Sequence, residues 1–129
     1  LTAHADGEQI YECKANSDGK LAWALREPAA TLMVDGKIAG RHFAGPTWQL
    51  NDGSAVVGKA QASVPGKTAN DIAWLKLAVI SHRGSGIFAD VDTVQRINTV
   101  GGALEGACER TTETRATPYT ADYVFLRKD

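Results

Sequence analysis

The residues best equipped for chemistry are few and scattered. Histidines stand at His4, His42 and His82. None is spaced as H-x-H or H-x-x-x-H, so no single element presents two imidazoles to one metal ion, and no metal is expected. A composite site drawn from distant strands stays open. The serines at 17, 54, 63, 81 and 85 lie in no G-x-S-x-G elbow, and Ser85 in "RGSGIF" has the composition of a turn before a strand. Cys108 in "EGACER" is a nucleophile only if its thiol is free. Acid–base work needs two converging carboxylates. Asp52 belongs to an Asp-Gly turn, and Asp90 and Asp92 alternate as a solvent face does. That leaves Asp122, between Tyr119 and Tyr123, as the carboxylate with the least structural explanation.

The densest constellation is "RHFAGPTWQLNDGS", residues 41–54. A strand, a Gly45-Pro46 turn, a second strand and an Asp52-Gly53 turn account for most of it. They do not require an imidazole at His42 facing an indole at Trp48 across the turn, a pair suited to lining a small-ligand site. Arg96, in "VQRINTV", shares a strand face with Val94, Asn98 and Val100. A charged group on an apolar face is paired or aimed into a cavity, and Asp122 is the expected partner. The candidate ligand-binding set is therefore His42, Trp48, Trp74, Arg96, Tyr119 and Asp122. An enzymatic alternative is a hydrolase or isomerase using His42 with Asp122 or Arg96. A third reading is a structural or interaction protein in which Trp48 and Trp74 are simply core.

The elements that must position these residues read as strands. Asp-Gly recurs at even spacing, at Asp18-Gly19, Asp35-Gly36 and Asp52-Gly53, each flanked by strand-like sequence. Asp-Gly between alternating apolar residues marks a hairpin, because a type I′ turn needs positive φ at both central residues. Pro28, Pro46 and Pro65 fall between these hairpins, which predicts six strands in an up-and-down meander. Gln9, Tyr11, Cys13 and Ala15 share one face of the first strand; Leu21, Trp23 and Leu25 share one face of the second. "DIAWLKLAVISH" reads as a buried strand in preference to a short helix, and "IFADVDTVQRINTV" as one or two strands. At the end, Tyr119, Ala121, Tyr123 and Phe125 alternate against Asp122, Val124 and Leu126. Nine or ten strands with little helix predict a single all-β domain over residues 1–129. Its form is a closed or nearly closed antiparallel barrel, with a β-sandwich as the alternative.

Composition removes several classes. A formal net charge of −1 and a Lys/Arg tail no denser than Arg127-Lys128 make nucleic acid a poor partner. No apolar run approaches the ~18–20 residues of a membrane-spanning helix. "GSG" and "VGG" lack the G-x-G-x-x-G spacing and the following helix of a dinucleotide site, so no cofactor is expected. The only methionine is Met33 and the chain starts at Leu1, as a processed product or a trimmed chain would. Cys13 and Cys108 lie near opposite ends; they are either a disulfide closing the domain or two buried free thiols. Oligomeric state is not legible.

"GEQIYECKA", "AATLMVDGKIAGRHFAGPTWQLNDGSAVVG", "IAWLKLAV", "VQRINTVGGALEGAC" and "PYTADYVF" together, in order, resemble the DUF3455 family of small exported bacterial proteins with fungal relatives. The resemblance spans nearly the whole chain. It implies that Cys13 and Cys108 both belong to the pattern, which favours the disulfide and an exported protein, periplasmic or secreted. It also implies motif positions at His42–Trp48, at Arg96, Asn98 and Thr99, and at Tyr119–Tyr123, whereas Lys76 and Glu105 are expected to vary. It brings no activity. Some relatives carry a dehydrogenase label, which this chain has no motif to support. The leading expectation is non-catalytic binding of a small molecule or a cell-envelope glycan.

Overall fold

A computed structural model describes residues 1–128. Eight strands follow one another round a ring: β1 Thr2–Ala15, β2 Leu21–Val34, β3 Lys37–Phe43, β4 Thr47–Leu50, β5 Ala55–Val64, β6 Trp74–Arg83, β7 Val91–Gly101 and β8 Thr114–Arg127. Each pairs antiparallel with the next, and β8 closes on β1, giving a closed up-and-down barrel. The count is eight rather than nine or ten, for two local reasons. Pro28 does not divide β2, because β3 reaches back only to Ala30 and leaves no β3 carbonyl opposite Pro28 to go unpaired. "IFAD", residues 87–90, is a 3₁₀ turn before β7 rather than a strand.

The three Asp-Gly pairs make different turns. Asp35 and Gly36 both take positive φ, 52° and 76°, as a two-residue type I′ hairpin demands. At the other two only the glycine does. In the first, Asn16 Oδ1 accepts hydrogen bonds from the N–H groups of Asp18 and Lys20. In the last, Asp52 Oδ1 accepts from Ser54 N–H at 2.8 Å, and Oδ2 accepts from Ile87 N–H at 2.9 Å. Asp52 therefore ties the β4–β5 turn to the 3₁₀ turn and seats Phe88 in the barrel end, where its ring lies 4.4 Å from that of Phe125.

An eight-stranded barrel is just wide enough for its own side chains to fill. Here they fill one half. Phe88, Phe125, Leu32, Val56, Val94, Trp48 and Tyr123 form a continuous buried core. Towards the other end β3 and β4 stop at Phe43 and Thr47, while β2 and β5 run on. Leu21–Ala29 of β2 and Lys59–Val64 of β5 have no β3 or β4 partner beside them. The wall thus has a side window above the β3–β4 hairpin. The β7–β8 connection crosses that end and pairs with β2, Ala22 opposite Ala107. A Cys13–Cys108 disulfide holds it down, with Cα atoms 5.9 Å apart. No helix among the described residues is long and apolar enough to cross a membrane.

Candidate functional site

Behind the window lies a cavity of about 320 Å³. Its floor is built by the β3–β4 hairpin. His42 and Trp48 are direct cross-strand partners, so their side chains project from the same face of the sheet. The rings stack with centroids 4.5 Å apart and planes 10° from parallel, and Tyr123 packs against both. His42 Nδ1 donates to Thr47 O at 2.9 Å, while the Thr47 hydroxyl donates to Ala44 O at 2.8 Å. The turn and the imidazole therefore fix each other. The carbonyl can only accept, so Nδ1 carries the proton and Nε2 keeps its lone pair. Burial pushes the His42 pKa down to about 4, against the Thr47 bond that favours the cation, and Arg96 lowers it further. At neutral pH His42 is an uncharged ring.

The indole lies across β5 because position 58 is glycine. A Cβ there would meet Trp48 Cζ3 at 3.0 Å and Leu77 at 3.4 Å. Opposite, Gln9 enters from β1. Two buried polar atoms of residues that line the cavity have no hydrogen-bond partner: Trp48 Nε1, in a residue 1% exposed, and Gln9 Oε1, in a residue 3% exposed. Such atoms cost free energy unless something meets them. Arg96 stands at the inner rim, opposite Leu75 on β6 and Tyr123 on β8. Its Nε donates to Ala73 O at 2.9 Å. A second hollow of about 550 Å³, beneath the loops 65–73 and 102–105, also touches Gln9, Leu25, Leu75 and Arg96. Arg96 therefore stands where the two spaces meet.

Of the residues singled out in the sequence, His42, Trp48 and Arg96 come together around one cavity. Tyr119 is buried next to it, its hydroxyl 3.1 Å from that of Tyr123, but does not line it. Trp74 is not there. Leu75 takes the inward position, so Trp74 faces out and borders a shallow groove with Val64 and Lys76. Asp122 is not Arg96's partner. Ala121 and Tyr123 point inward, which turns Asp122 outward, where it accepts from His4 Nδ1 at 2.8 Å and Asn98 Nδ2 at 2.9 Å. Asn98 and Val100 also leave the Arg96 face. A bulge between Ile97 and Val100, with Asn98 at φ 52°, puts Thr99 inside instead, where its hydroxyl donates to Ile72 O. His82 Nε2 bonds to Val91 O at 2.7 Å, so the three histidines occupy three separate places. Lys76 is exposed on the outer face, and Glu105 lines the second hollow.

Sequence reasoning did not single out Gln9 or Tyr123 as site residues. Their signals were present: an amide on a face shared with Tyr11 and Cys13, and a phenol on a face shared with Phe125. No curated protein and no solved structure matches the chain. A family model does, over residues 1–127, and the chain belongs to that family, described as Protein of unknown function (DUF3455).

Proposed function

We propose that this protein is an exported, non-catalytic binder of a small molecule, which it holds in the cavity floored by His42 and Trp48. One observation carries the reading: Trp48 and Gln9 line the same cavity, and their Nε1 and Oε1 atoms are buried with no hydrogen-bond partner. A buried donor and a buried acceptor, both without a partner and both in residues that line one cavity, are complementary to a polar guest. The disulfide supports an oxidising compartment. The cavity's size favours a compact molecule over a long glycan, which needs an extended groove.

Of its two pairings, the enzymatic alternative loses His42 with Asp122 and keeps His42 with Arg96, which line the same cavity. The Asp122 carboxylate lies outside the barrel, and His42 Nδ1 is spent on a carbonyl rather than on a carboxylate that would stabilise an imidazolium. A purely structural role does not call for an open cavity with unpaired polar atoms in its wall.

The test is paired mass spectrometry on protein isolated from its natural host, native and then denatured. A discrete native excess that disappears on denaturation, and is absent from a Gln9→Leu, Trp48→Phe double variant of native near-ultraviolet dichroism, supports the proposal. An excess equal in both proteins places the guest elsewhere and overturns it.

A further inference from the structure

Arg96 lines the cavity together with two other charged residues, Arg26 and Glu27, and among the described residues it has no carboxylate within ion-pair distance. The ion pairs among the described residues are His4–Asp122, Lys14–Glu12 and Arg127–Asp90, and none includes Arg96. Its Nε donates to Ala73 O and its side chain also hydrogen-bonds Tyr123, which leaves further N–H donors of the fork for a guest. Its charge is felt by four rings around the lumen, those of Tyr11, His42, Tyr119 and Tyr123, and in each it favours the less protonated form. At these four rings Arg96 contributes a positive potential, which Glu105 opposes at Tyr11. That potential disfavours a cationic guest, and the guanidinium, partly withdrawn from water, is left without its anion.

The remaining wall completes the specification. Leu25, Pro46, Ala60, Leu75 and Leu77 are apolar and face the same space. A cavity of about 320 Å³ is roughly ten water volumes, enough for a compact organic body of about ten to fifteen non-hydrogen atoms. Trp48 Nε1–H is a donor suited to an oxygen of the guest, and Gln9 Oε1 is an acceptor for a hydroxyl or amine on it. A planar fork and an indole in the wall of one cavity match the two oxygens of a carboxylate better than they match a neutral amide or alcohol.

We infer that the cavity takes a small organic acid, its carboxylate on Arg96 and its apolar body against the leucines, admitted through the side window between β2 and β5. The inference rests on the binding reading above and narrows it to a chemical class.

The test compares matched pairs that differ only in charge: benzoate with benzamide, phenylacetate with phenylacetamide, and octanoate with octanamide. Each is titrated at pH 7 by calorimetry and by Trp fluorescence. At least one acid is expected to bind about tenfold or more tighter than its amide. In Arg96→Gln, checked for native near-ultraviolet dichroism, that advantage is expected to fall to about twofold or less. The wild-type comparison stands alone should Arg96→Gln fail to fold. If amides bind as tightly as acids, the acid inference is overturned while the binding reading survives. If neither series binds and protein from the natural host carries no extra mass, both are overturned.

Discussion

Acidification from pH 7 to pH 4.5 is expected to remove about 2.5 kcal/mol of folding stability through His42 alone. In the unfolded chain the imidazole protonates near 6.5; buried between Trp48 and Tyr123 it does so at about 4. Between those values the unfolded state binds a proton that the folded state does not, so stability rises with pH across the window and is lost as pH falls through it. The linkage relation gives a loss of about 1.4 kcal/mol at pH 5.5 and about 2.5 at pH 4.5, approaching about 3.4 below pH 4. The carboxylates act lower. Asp52, held down by the Ser54 hydroxyl and the Ile87 N–H, and Asp71, held down by the Gly101 N–H and Thr68, give up their contributions only as pH falls below the ordinary Asp value. Urea denaturation of wild type and His42→Phe at pH 7, 5.5 and 4.5 isolates the effect. Phenylalanine keeps a ring on Trp48 but cannot titrate, so its stability should be flatter by those amounts. A His42 ring that titrates near 6.5 by nitrogen-15 NMR, or two curves that run parallel from pH 7 to 4.5, would refute the reasoning.

Gln9→Leu exchanges a buried, unpartnered amide oxygen for a shape-matched apolar group; in ligand-free protein it should raise stability by about 1–3 kcal/mol, read from urea midpoints. A loss of more than 1 kcal/mol would mean the amide is already satisfied. The Cys13→Ser, Cys108→Ser double variant releases a cross-link between residues 95 apart, which the chain-entropy model values at about 4–5 kcal/mol. Calorimetry should show a midpoint lower by roughly 15 °C. Gly40→Ala places a Cβ 2.1 Å from the Gln49 carbonyl oxygen, a backbone atom that cannot move without opening β3–β4. It should cost about 3 kcal/mol or more and accelerate amide exchange in the His42–Trp48 hairpin.

Much of the barrel was legible because period-two alternation is a local signal. Tyr119, Ala121, Tyr123 and Phe125 share the inner face as their spacing demands, and His42 faces Trp48 as a tight hairpin requires. Alternation fails where the ladder slips. The bulge after Ile97 turned Asn98 and Val100 outward, and no nearby residue type announces it. Trp74 and Asp122 were assigned by chemical type, yet their own neighbours fixed them outside: Leu75 is inward, and so are Ala121 and Tyr123. Pro28 looked like a break because a proline inside a strand is tolerated only beside an unpaired edge. That edge exists because β3 and β4 are short, a fact about strand lengths across the ring rather than about Pro28. The side window, and with it the convergence of Gln9, Arg96 and the hairpin, is long-range in the same sense.

The most direct measurement is a high-resolution crystal structure of the protein purified from its natural host. An ordered organic molecule within hydrogen-bonding distance of Trp48 Nε1 and Gln9 Oε1, with oxygen atoms on Arg96, is the result expected. Side chains closing the cavity, with Trp48 Nε1 and Gln9 Oε1 bonded to protein groups, would contradict the account.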